Sequence, residues 1–257
     1  MPRHLLRLRI LLSLALLTLI WQIVWALGLV PAKFLPSIPE VVVGFWLMLT
    51  NGELPAADGV TMARAVVGLL AASLVGITLA LLSEAFPSFD RGFRPIADLI
   101  QPIPPAALVP MAIFTLGLGI KLYLFIVLMV TVWPPYLNGR AALRAVPCEQ
   151  IRTGRMLGMS PTEILFRIKL PAALPEIFSG IRYAATISLI AVVVAEMLSG
   201  HDGIGFLLVR KSFAIRIPEV YALMFVTAID GALLGLLVAL ARRALTGWHL
   251  RQTGFAA

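Results

Sequence analysis

The sequence predicts an all-α integral membrane protein. About six transmembrane helices form a single domain over residues 1–257, with a short polar helical loop on the cytoplasmic side between spans four and five. Three observations predict it. Of the 257 residues, 60% are hydrophobic and only 13% charged, whereas soluble domains sit nearer half apolar and a quarter charged. The apolar residues gather in six stretches, each near the roughly 20 residues a helix needs to cross about 30 Å of hydrocarbon. The basic residues fall in short clusters between those stretches. That placement is what membrane insertion asks of basic residues, and it argues against nucleic acid as the partner of the +8 net charge.

The first stretch runs over about residues 10–30. "MPRHLLRLR" before it gives two readings, a signal peptide or an uncleaved span. The run of about 20 residues, longer than the usual 7–15 of a signal, favours the span. Residues 33–61 follow as the longest outer segment. Within it "SIPEVVVGFWLMLTNGEL" has the body of a short interfacial helix, and Trp46 suits that depth. The second stretch covers about 65–83. The third, about 99–118, is interrupted by Pro102, Pro104, Pro105 and Pro110, and only a tight turn at 117–121 separates it from the fourth, about 122–137. The fifth covers about 181–198 and the sixth about 220–241. Interrupted spans are tolerated where they meet protein or a water-filled path.

Orientation follows from counting basic residues. With the N-terminus inside and six crossings, 15 lie inside and 6 outside. The inner set includes Arg3, Arg7, Arg9, Arg140, Arg144, Lys169 and Arg251; the outer set is Lys33, Arg64, Lys121, Arg210, Lys211 and Arg216. This is the direction of the positive-inside rule, so both termini are expected in the cytoplasm.

Two spans carry small residues at fourfold spacing. Gly68, Ala72, Gly76 and Ala80 share one face of the second, and Gly231, Gly235 and Ala239 one face of the sixth. Lipid offers no hydrophobic drive for helix association, so close backbone approach at such stripes is expected to pack the bundle. A carboxylate at membrane depth is costly and faces a cavity or a partner. Glu196 and Asp230, expected towards the outer ends of their spans, are therefore candidates with Ser188 for a translocation path or outer gate. The single cysteine, Cys148, allows no intrachain disulfide, and the scattered His4, His201 and His249 offer no metal site.

The polar loop is unusually well punctuated. A helix over about 149–157 ends at Gly158, which supplies the left-handed residue of a helix stop. Ser160 then stands at an N-cap, Pro161 at the first helical position and Glu163 at the third, a capping box. Ile164, Leu165 and Ile168 make the apolar face, and Pro171 and Pro175 are expected to end the element before the fifth span. A plain connecting hairpin accounts for the caps. A docking surface for a soluble partner accounts also for so well-built an element on so lean a chain.

"LGMSPTEILFRIKLPAALPEIFSGIR" resembles the cytoplasmic signature loop of permease subunits of binding-protein-dependent ABC importers. The signature has a Glu-Ala-Ala triplet, three variable residues, glycine, and a later leucine-proline with a second proline. The glycine falls on Gly158, the leucine-proline on Leu170 and Pro171, and the second proline on Pro175. The triplet falls on Arg152, Thr153 and Gly154, with Leu157 just before the glycine. The glutamate that the family associates with ATPase contact is thus an arginine here. "PIPPAALVPMAIFTLGLG", "VVVAEMLSGHDGIGFLL" and "YALMFVTAIDGALLG" are similar to the nitrate, aliphatic sulfonate and taurine branch, and the likeness spans about 35–248.

The resemblance implies a multi-pass protein of the bacterial inner membrane, a homodimer with ATP-binding cassette subunits below and an extracytoplasmic substrate-binding protein outside. It implies a path for a nitrate-, sulfonate- or taurine-like anion; similar permeases for thiamine-precursor pyrimidines or riboflavin are the alternative. No G-x-x-x-x-G-K-[ST] loop occurs in the sequence, so ATP chemistry is expected from the partner and no cofactor from this chain. No cluster of His, Cys or paired carboxylates at one depth speaks for a membrane-embedded enzyme.

Overall fold

The computed structural model describes residues 3–31 and 33–252, and the regular structure among them is helical. In order these are α1 (Arg3–Ala26), α2 (Ile38–Thr50), α3 (Glu53–Ala85), α4 (Pro87–Ile100), α5 (Pro105–Leu116), α6 (Ile120–Thr131), α7 (Trp133–Arg144), α8 (Cys148–Met156), α9 (Pro161–Ile164), a π turn (Leu165–Lys169), α10 (Leu170–Ser199), α11 (Gly203–Phe213) and α12 (Ile217–Gln252).

Four described helices are long and apolar enough to cross a membrane: Glu53–Ala85, Ile120–Arg144, Pro161–Ser199 and Ile217–Thr246. Counting α4 and α5, bent by 98°, as one broken span makes a fifth. The expected first span falls on α1, where the side chains before residue 12 lie outside those described.

Several boundaries differ from the sequence reading, each for a physical reason. The interfacial helix is α2, closed by a capping box between Ser37 and Glu40. Its outer segment ends at Gly52, where φ is +80°, and α3 starts at once, twelve residues before the expected span. The interrupted third span becomes two helices. α4 buries Asp90 and Ala97 with Phe93 and Ile100 half-buried between, the spacing of one helical face, so it packs flat. The 120–144 span bends at Val132, where Pro134 and Pro135 lack N–H donors. The Trp133 indole donates to the Met129 carbonyl at 2.7 Å there.

Pro171 and Pro175 do not end an element. The helix runs unbroken from Pro161 to Ser199. A proline ring clashes with the carbonyl four residues back. Just before Pro171 the chain widens into the π turn, where the Leu170 N–H bonds the Leu165 carbonyl five residues back. That wider turn relieves the clash.

The centre of the bundle is α3, α7 and α10. A Cβ at Gly68 would collide with Val127, and one at Gly76 would stand 2.6 Å from the Val132 carbonyl oxygen. Gly180 of α10 meets the Pro134 carbonyl in the same way, at 2.7 Å. Ala72 is fully buried between these contacts. On α12 the stripe behaves differently: Gly231 only touches Leu189, and nothing stands within 4 Å of a Cβ at Gly235. Trp21 of α1 holds that helix to α12 by ring contact with Tyr221 at 5.2 Å and donates to the Pro36 carbonyl.

Candidate functional site

Chemistry-bearing residues gather at the two ends of the bundle. At the near end, α8 and α9 form a hairpin. α8 stops at Leu157, and Gly158 takes φ +75° with open space around its Cα. The Met159 N–H bonds back to the Gly154 carbonyl. The Ser160 hydroxyl accepts from the Glu163 N–H at 3.3 Å while the Glu163 carboxylate accepts from the Ser160 N–H at 3.0 Å. Pro161 follows in the first turn. Ile164 and Leu165 are buried, and Ile168 stands over Gly154, where a Cβ would come within 2.6 Å of its Cδ1.

So the third residue of the triplet is glycine at the point where α8 rests on the π turn. Arg152 and Thr153 point away and are exposed, Thr153 donating to the Glu149 carbonyl. At the tip Met156 is 89% exposed and Leu157 76%. Glu149, at the N-terminus of α8, is held below the ordinary carboxylate value by its own backbone N–H and then by the Cys148 thiol. A groove of about 800 Å³ runs between this hairpin and the end of α3, lined by Leu81, Phe86, Arg155, Met159 and Phe166 among others.

A charge network fixes the hairpin to the bundle. Lys169 in the π turn pairs with Glu84 at the end of α3. Asp90 of α4 accepts from Arg140 at 2.5 Å and from Arg144 at 2.7 Å, both on α7. Leu170, Pro171 and Pro175 lie just beyond, with Pro175 buried and the Ser179 hydroxyl donating to its carbonyl.

The far end holds a second, more deeply buried cluster. Glu196, on the last turn of α10, is fully buried. It accepts from Arg64 Nη1 at 2.8 Å, from the Thr61 hydroxyl at 2.8 Å and from the Gly205 N–H at 3.1 Å. Arg64 Nη2 reaches Asp202 at 2.7 Å, and the Arg64 guanidinium carbon lies 3.6 Å from the Tyr123 ring centroid. The Tyr123 hydroxyl bonds Ser199 at 2.8 Å. "SGHDGIG" allows this. The chain turns through left-handed Gly200 and Gly203, and α11 begins with its free N–H groups against the carboxylate. A Cβ on Gly203 would stand inside the Glu196 carboxylate.

The other candidates lie elsewhere. Ser188 is buried within the bundle and donates to the Ala185 carbonyl. Asp230 sits near the middle of α12, rather than towards the outer end of its span, and its carboxyl reaches Asp58 of α3. Among the described residues no basic side chain pairs with either acid. Lys211, counted as an outer loop charge, is buried between Glu53 and Glu219, 2.6 Å from each.

Sequence reading therefore found Glu196 but missed Arg64, Asp202, Tyr123 and Thr61. Arg64 was assigned to the outer loops because the apolar run was counted only from residue 65, one position beyond it.

Residues 72–247 match the family described as "Binding-protein-dependent transport system inner membrane component". The chain is 26% identical over 240 residues to "Putative aliphatic sulfonates transport permease protein SsuC" of Bacillus subtilis (strain 168), covering 93% of this chain and 87% of that protein. It is 30% identical over 236 residues to "Nitrate import permease protein NrtB" of Synechocystis sp., covering 88% and 85%. It is 28% identical over 244 residues to "Taurine transport system permease protein TauC" of Escherichia coli (strain K12), covering 92% and 88%. Its fold is similar, at TM-score 0.64 and 16% identity, to a chain of the inward-facing MetNI methionine ABC transporter, covering 72% of this chain and 93% of that one.

Proposed function

The chain belongs to the family of inner membrane components of binding-protein-dependent transport systems, and from that premise we propose that a homodimer of it forms the translocation path for a small anionic solute. The solute arrives from an extracytoplasmic binding protein, and separate ATPase subunits dock on α8 and α9. The relatives named for sulfonates, nitrate and taurine support an anion. The observation that carries the docking reading is the hairpin itself. Two caps and a charge network hold it to the bundle, while Met156 and Leu157 at its tip are exposed. Exposed apolar residues on a rigid, polar-rimmed element mark an interaction site.

The helix from Pro161 to Ser199 joins the two clusters. It carries Lys169 at one end and Glu196 at the other, a rod of about 40 Å between them at 1.5 Å per residue. Movement of the docked hairpin thus reaches the Arg64 cluster through one rigid element. Arg152 stands on the exposed side of α8 and offers its guanidinium to an acidic group of the ATPase, with the charges reversed relative to the family's usual glutamate.

The full chain, reconstituted with its ATPase and binding protein, is expected to show ATPase activity that rises when the binding protein is loaded. Activity unchanged by a loaded binding protein would overturn the proposal. Arg152→Glu is expected to weaken assembly, and a basic substitution on the ATPase to restore it.

A further inference from the structure

Resting on the reading of this chain as an anion path, we infer that Arg64 is the residue that receives the anion, with Asp202 as the counter-ion the anion displaces. The two carboxylates on Arg64 are held very differently. Glu196 is fully buried and fixed by Thr61, Gly205 and Arg64 together. The Asp202 side chain is 38% exposed, lies in the turn between α10 and α11, and has one short hydrogen bond, from Arg64 Nη2. Its other polar neighbours, the Tyr123 hydroxyl and His201 Nδ1, are each at 3.5 Å. The buried acid is structural and the exposed one exchangeable.

One nitrogen of the guanidinium is also left unpaired. Nη1 serves Glu196 and Nη2 serves Asp202, each through one bond, while Nε is buried with no hydrogen-bond partner. Nε and Nη2 form one edge of the planar fork, and Asp202 fills only half of it. Planar and tetrahedral oxyanions match that edge with two parallel hydrogen bonds. A nitrate, sulfonate or carboxylate entering from the Asp202 side would satisfy Nε, which Asp202 leaves unpaired. The Tyr123 ring closes one face of the guanidinium and holds its plane.

Charge balance permits the exchange. When one monoanion replaces Asp202, the charge facing Arg64 is unchanged, and Asp202 moves into water from a position already half-exposed. No uncompensated buried charge is created, which is the step that would make such a swap costly. The cluster sits at the far end of the helix whose near end carries the hairpin, so the exchange is placed where movement of that helix changes the grip of Glu196 on Arg64.

The test is calorimetric titration of the full-length protein in detergent with sodium methanesulfonate and sodium nitrate, and with sodium chloride as an anion that cannot bridge the fork. Asp202→Asn removes the competitor and is expected to tighten oxyanion binding by about tenfold while leaving chloride unchanged. Arg64→Lys keeps the charge but lacks the fork and is expected to lose the gain in the Asp202→Asn background. Oxyanion affinity of Asp202→Asn within about twofold of the parent, equal tightening for chloride, or no measurable binding by either protein overturns the inference. ATPase stimulation by the loaded binding protein is read on the same variants. If it persists while the titration fails, only the role of Arg64 falls; if it is absent from the unmodified protein, the transport reading falls instead.

Discussion

Arg64 Nη1 lies 2.8 Å from Glu196 Oε1, two residues 132 apart in sequence on different helices, with 8% of one side chain and none of the other exposed. This pair fastens α3 to α10 away from water. A buried pair gives little net stability when intact, but losing one partner leaves an unpaired charge in the interior.

Arg64→Leu, which leaves the buried Glu196 carboxylate with no cation against it, is accordingly expected to lower stability by about 3 kcal/mol, and Glu196→Leu, which leaves Arg64 still paired with Asp202, by less, both read as a drop in the midpoint of thermal unfolding in detergent. The double variant Arg64→Leu with Glu196→Leu should lie above the weaker single variant, because no buried charge remains on either helix. A double variant no more stable than that single one would show that the pair does not govern stability here.

The glycines of the α10–α11 turn separate two kinds of constraint. Gly200 and Gly203 both hold positive φ, +66° and +89°. Beside Gly200 there is open space, so Gly200→Ala meets only the conformational cost, about 1 kcal/mol. Gly203→Ala in addition drives a methyl group into the Glu196 carboxylate, and overpacking of this kind adds about 1–3 kcal/mol. The two unfolding midpoints, compared in one detergent, are expected to rank Gly203→Ala well below Gly200→Ala; equal midpoints would remove the close contact from the account.

How much of this was legible in the sequence depends on the range of the interaction. The hairpin was readable nearly to the residue, because a capping box is local: Ser160, Pro161 and Glu163 carry its chemistry within four positions. The Arg64–Glu196 pair was not, since nothing near Glu196 in sequence signals a partner 132 residues away. The count of basic residues likewise treated Lys211 as a free loop charge, although two carboxylates enclose it. The proline at 171 was misread as a terminator because the π turn that accommodates it has no sequence mark, and Pro175 stands within α10 itself. Asp230 was read as lying towards the outer end of its span, although it stands at the middle of the 220–241 run, as it does in the helix.

Orientation is testable through the native thiol. Cys148 is exposed at the start of α8, and the proposed topology sets it in the cytoplasm. Gly52→Cys places a second thiol in the exposed turn at the opposite end of α3. In intact cells a membrane-impermeant maleimide should label Gly52→Cys in a Cys148→Ala background and leave the native Cys148 unlabelled until the cells are opened. Labelling of Cys148 in intact cells, with Gly52→Cys silent, would invert the topology.

Gly158 is expected to be the most sensitive residue of the hairpin. Its φ of +75° is one that other L-residues enter at a cost of roughly 1 kcal/mol or more. Nothing stands within 4 Å of where its Cβ would be, so the penalty is one of backbone conformation and not of collision. Gly158→Val, β-branched and poorly suited to left-handed backbone, should therefore relax by reshaping the turn and tilting α8 against α9. Asparagine tolerates that region better, and Gly158→Asn should keep the turn. The cost is small beside the stability of the whole bundle, so both variants should reach the membrane in normal amounts. Only Gly158→Val should lose ATPase co-purification and uptake, because the tip formed by Met156 and Leu157 would no longer face the partner correctly. Wild-type uptake by Gly158→Val would show that the turn is not constrained, and its loss from the membrane would assign Gly158 to folding and take this support from the docking role of the hairpin.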